Sequence, residues 1–121
     1  MGAERENPLK TKSFAFALCV VGAYKYLLQE HHEYVLSKQL LRSGTSVGAN
    51  ITEANQAQSR PDFIHKLSIA LKEVVETDYW ICLLRDSDYL SATQADSLIE
   101  DCTEIKKMLT SAIKSAKRST S

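Results

Sequence analysis

The chain has 121 residues, with 15 Lys and Arg balancing 15 Asp and Glu, and is 44% hydrophobic and 25% charged. That is the length of a single domain, residues 1–121, with enough apolar side chain for one core and no need of disulfide or metal staples, and it excludes a disordered chain. Four Gly and two Pro are too few for a turn-rich β fold, and the longest apolar stretch, residues 14–23, is too short to span a bilayer.

Four helical segments are predicted, at about residues 11–30, 33–56, 60–85 and 92–115, with a frayed tail over 116–121. Short connections make neighbours antiparallel, so the expected fold is all-α, an up-down-up-down four-helix bundle. The first helix carries two apolar stripes on roughly opposite sides: Phe14, Ala17, Leu18, Val21 and Leu28 on one, Phe16, Val20, Ala23 and Leu27 on the other. One core needs one stripe. The second set is therefore expected to be surplus and to face a neighbouring copy.

The second helix has a core stripe of Leu36, Leu40, Ser43, Val47, Ile51 and Ala54. Its middle, residues 43–49, holds Gly44 and Gly48, each less favourable than Ala in a helix by about 1 kcal/mol. This implies close approach by another helix. A phosphate-cradling loop is the alternative, but the Lys-Ser/Thr of a P-loop is missing.

Ser59, Pro61 and Asp62 open the third helix with a capping box and a first-turn proline. Its core stripe is Phe63, Leu67, Ala70, Val74, Thr77, Ile81 and Leu84. Ile69, Trp80 and Leu83 fall away from that stripe and join the expected oligomer interface. Ser91 and Gln94 form a second capping box before the fourth helix, whose stripe is Leu98, Cys102, Ile105, Leu109, Ala112 and Ala116. Six acids and no base lie in residues 86–104, and five bases and no acid follow Glu104. Such a gradient suits the helix dipole. It also makes Lys114, Lys117 and Arg118 candidate nucleic-acid contacts.

Arg42, Ser46, Asn50 and Glu53 line one edge of the second helix, and Lys66, Glu73 and Glu76 one edge of the third. Antiparallel packing brings Arg42 level with Glu73 and Glu76, and Glu53 level with Lys66. This seam reads as a charge ladder that fixes register. An enzyme using its carboxylates with Arg42 and Tyr79 is a remote alternative, with no activated nucleophile or paired His to support it. Cys19, Cys82 and Cys102 are far apart and read as reduced thiols; adjacent His31 and His32 lack the spacing of a metal pair. No catalytic residue, metal, cofactor or small-molecule substrate is expected. Residues 1–12 are mostly polar and show no secretory pattern, so a cytoplasmic location with no membrane partner is expected.

Two stretches, QLLRSGTSVGANITEA (residues 39–54) and SRPDFIHKLSIALKEVVETDYW (residues 59–80), resemble the bacterial four-helix-bundle proteins encoded by intervening sequences within 23S rRNA genes. Relatives of that family include the accessory variability determinants of diversity-generating retroelements. The resemblance covers about residues 12–113. It implies a bundle that assembles as a ring, commonly a pentamer, and an association with RNA. Its basic retroelement relatives differ from this chain, whose pI is about 6.8. The expected function is thus a non-enzymatic homo-oligomer associated with RNA or another nucleic acid; the alternative is a protein-protein scaffold that binds none.

Overall fold

The computed structural model describes residues 7–118. Four helices account for most of them: α1 (Pro8–His31), α2 (Leu36–Ala54), α3 (Arg60–Asp86) and α4 (Ala92–Arg118). Each start has a local cause. The Asn7 side chain accepts from the Lys10 amide at 3.2 Å and Pro8 occupies the first turn, so α1 begins before residue 11. Ser59 accepts from the Asp62 amide at 3.2 Å at the head of α3. Ser91 and Gln94 exchange reciprocal bonds of 2.8 and 3.1 Å at the head of α4, so both predicted N-termini have their caps.

The α1–α2 junction is longer than expected, residues 32–35, because Glu33 is not helical. His32 turns into the left-handed region at φ 52° and stops α1. The Glu33 carboxylate then accepts from the amides of Val35, Leu36 and Ser37 at 3.0, 2.9 and 2.6 Å, capping α2 from outside the helix. Burial pushes this carboxyl's pKa up, but the three amides outweigh it and hold the group below its ordinary value.

Every sequential pair of helices packs together and α1 closes against α4, while the backbones of α1 and α3 stay more than 8 Å apart, Cα to Cα, across the core. The bundle is therefore up-down-up-down, with α1 and α3 at opposite corners. Leu40, Val47 and Ile51 of α2, Leu67, Val74 and Ile81 of α3, and Cys102, Ile105 and Leu109 of α4 fill the core, on the stripes predicted for those helices.

In α1 the prediction is reversed. Phe16, Val20 and Leu27 are 1%, 0% and 0% exposed, and Ala23 packs against the same core, so these residues are not available to a second chain. Phe14 and Leu18 are 66% and 61% exposed instead. The cause lies in α2. A Cβ at Gly44 would stand 2.8 Å from both γ carbons of Val20, and one at Gly48 would stand 3.4 Å from Ser13 Oγ. The two glycines give α1 room to approach with its Ser13–Phe16–Val20 side, which serves close helix packing within the chain. The expected fraying is also corrected in part. Residues 116–118 are helical, Ala116 is buried and its carbonyl accepts from Arg60 at 3.3 Å. The rest of that tail lies outside the described residues.

Candidate functional site

The antiparallel α2–α3 contact sets the seam. Arg42 reaches Glu73 at 3.4 Å and also pairs with Glu76. Lys66 meets Glu53 at 2.9 Å, and that partner raises the lysine's pKa. At the Arg42 end, Thr77 Oγ1 and Ser43 Oγ lie 2.9 Å apart in the core. Ser46 and Asn50 do not bridge the helices: each bonds a carbonyl of its own helix, Arg42 at 2.7 Å and Ser46 at 2.9 Å. Trp80 lies beside this ladder, half-buried against the core, and its indole N–H donates to Glu76 at 3.0 Å. Glu76 thus already accepts from Arg42 and Trp80. Its contacts orient side chains and hold register.

Other ion pairs fasten the neighbouring seams. Lys12 lies 2.9 Å from Asp101 and 2.8 Å from Glu104, joining α1 to α4, and these hydrogen bonds raise its pKa. Lys106 reaches Asp78 at 3.3 Å between α4 and α3. Among the described residues, no buried side-chain nitrogen or oxygen lacks a partner, and no group of three or more His, Cys, Asp or Glu could hold a metal ion. His31 instead joins an aromatic cluster at one end of the bundle, 3.2 Å from the Tyr26 hydroxyl and edge-on to Tyr89. Cys102 is buried, and burial pushes its thiol up to about 12. Among the described residues no helix is long and apolar enough to cross a membrane.

Two surface features remain. The first is the basic half of α4, where Lys106, Lys107, Thr110, Ser111 and Lys114 line a shallow cleft; Lys107 and Lys114 are exposed, and Lys117 and Arg118 follow in the last turn. The second is apolar. Phe14 and Leu18 stand outward on α1, beside a groove of about 750 Å³ between α1 and α2 that includes Ala17, Thr45, Gly48 and Ala49. On the opposite corner, Val75 and Tyr79 of α3 are 54% and 59% exposed. Ile69 and Leu83 are only partly exposed. Sequence reasoning placed Phe14 and Leu18 in the core and passed over Val75. The available signal was Lys25 and Gln29, which share a helical face with Phe14 and Leu18 and mark it as outward.

A comparison with protein families matches residues 5–111 to the family described as 23S rRNA-intervening sequence protein. A comparison with curated proteins finds no match. Among solved structures, a protein of unknown function from the S23 ribosomal protein family of Bacteroides thetaiotaomicron VPI-5482 is 57% identical. The similarity covers 88% of this chain and 98% of that one, with a TM-score of 0.87. The two matched sequence stretches, the four-helix architecture and this neighbour agree: the chain belongs to the 23S rRNA-intervening sequence protein family.

Proposed function

We propose that the protein is a non-enzymatic homo-oligomer that associates with RNA through the basic half of α4. The observation that carries the self-association is the outward face of α1. No charged residue occurs from Ser13 to Tyr24, yet Phe14 and Leu18 stand in solvent in the isolated chain. Contiguous apolar surface of this kind marks an interface. The family resemblance makes five the expected number of copies. Oligomerisation multiplies the α4 bases, so that individually weak phosphate contacts act together.

The RNA reading is tested with an α4 variant in which Lys107, Lys114, Lys117 and Arg118 are all replaced by Gln. Simple truncation after Ile113 is less suitable because it would remove buried Ala116 and its bond from Arg60. Wild type should retain a 23S rRNA fragment at low salt and release it steeply as salt rises. The variant should keep its helicity and lose retention. Equal retention by both would overturn the α4 assignment, and no retention by wild type would favour the scaffold reading, which the balanced charge supports.

A further inference from the structure

We infer that the cleft between the start of α1 and the α3–α4 hairpin takes an unpaired nucleobase, with the adjoining phosphate on Lys107. This rests on the RNA reading proposed above and names the feature of the RNA that the protein selects.

The cleft follows from the helix lengths. Lys12 pairs with Asp101 and Glu104, so Pro8, four residues earlier, is level with the Lys106–Lys107 turn of antiparallel α4. Helix α4 runs on to Arg118, about 17 Å past the start of α1 at ~1.5 Å per residue. At that step lies a cleft of about 510 Å³, floored by buried Ile51 and Leu67 and walled by Leu9, Phe63 and Met108. A second cleft, of about 700 Å³, adjoins it and shares Asn55, Phe63 and Ala112. Phe63 is only partly buried and borders both, so part of its ring is open to a ligand.

This lining suits a base. A nucleobase stacks on aromatic or apolar side chains, and unpaired RNA is read in this way because its bases are free to leave the helical stack. Asn55 and Ser111, both exposed, stand at the rim of the first cleft. An amide and a hydroxyl each donate and accept, which matches the mixed donors and acceptors of a base edge. A base held in a duplex offers neither its face nor that edge.

Charge places the backbone. Lys107 is the one ionisable residue lining the first cleft and Arg60 the one lining the second, with no acid in either. Lys107 also lines the shallow basic cleft of α4 together with Lys114, seven residues or about two turns away. Among the described residues, Lys107 and Lys114 stay outside the ion pairs that fasten the helices. A strand held by these two lysines passes the mouth of the base cleft.

The test uses the full chain and two RNA stems of one sequence, the first fully paired and the second carrying a single bulged 2-aminopurine. Affinities are read by fluorescence anisotropy at low salt. Wild type should bind the bulged stem on the order of tenfold more tightly and change the 2-aminopurine emission. Phe63→Leu keeps an apolar side chain against the core, and Asn55→Ala alters an exposed one, so circular dichroism should show both folded. Each should lower the preference for the bulge, Phe63→Leu to near parity, with affinity for the paired stem unchanged. Equal binding of the two stems by wild type, or a preference that survives both substitutions, would overturn the base cleft while leaving the α4 assignment standing. Failure of wild type to bind either stem would overturn both.

Discussion

Replacing Gly44 with Ala tests how α1 came to face the way it does. Helix propensity alone predicts stabilisation by about 1 kcal/mol. The new methyl would lie 2.8 Å from both γ carbons of Val20, well inside ordinary contact. Val20 is fully buried, and its β-branched side chain has little rotamer freedom with which to move aside. Overpacking of this kind costs about 1–3 kcal/mol, and two clashing methyls put it toward the upper end, so the net effect should be destabilisation by about 1–2 kcal/mol. Val20→Ala alone removes two methyls and leaves a cavity, at about 2–3 kcal/mol. In the double variant the methyl introduced by Gly44→Ala occupies the vacated space. Its total should fall short of the sum of the singles by about 2 kcal/mol. Urea denaturation at one fixed protein concentration measures all four chains. Stabilisation by Gly44→Ala, or effects that add to within about 0.5 kcal/mol, would refute the proposed cause of the α1 orientation.

Three further outcomes follow from the structure. Arg42→Ala should destabilise by under about 1 kcal/mol, because the side chain is 48% exposed and its pairs are screened, and the loss should shrink at high salt; a loss several times larger would mean the ladder is buried in the assembly. Glu33→Ala should cost more, about 2–3 kcal/mol, since three amides at the head of α2 lose a charged acceptor. Because the folded pKa of Glu33 is lowered, its contribution is complete above the ordinary value of 4.5 and is lost as pH falls through the folded value. The urea midpoints of wild type and the variant should therefore stay apart near neutral pH and converge as pH falls below 4.5 and through the folded value. A thiol reagent near neutral pH should leave Cys102 unmodified until the chain unfolds, and prompt labelling there would contradict the packed α4 stripe.

Most of the architecture was legible because α2 and α4 each have one apolar stripe and a polar remainder, and α3's stripe follows the same four-three step. The Arg42 pairing with Glu73 and Glu76 followed from antiparallel geometry and the short α2–α3 connection. Helix α1 was not legible from its apolar periodicity alone, and within that helix its outward side was marked by the polar Lys25 and Gln29. Two apolar stripes on opposite sides define an axis without a direction, and the choice depends on what the neighbouring helix can admit. Gly44 and Gly48 carry that information, but only in tertiary contact with Val20 and Ser13. The Glu33 cap was hidden for a related reason: its carboxylate acts on amides two to four residues ahead, so the sequence reads as helix where the structure has a turn. Ser46 and Asn50 have seam spacing, but a short hydroxyl or amide finds its own helix's carbonyl before it reaches a neighbour.

The most direct test of the account is the mass of the purified protein in solution. Light scattering after gel filtration at micromolar concentration should give a whole-number multiple of 13.5 kDa, with five copies the expected number. Replacing Phe14 or Leu18 with Glu should lower it while helicity is retained. A stable species of 13.5 kDa for the wild type would contradict the claim that the outer face of α1 is an interface.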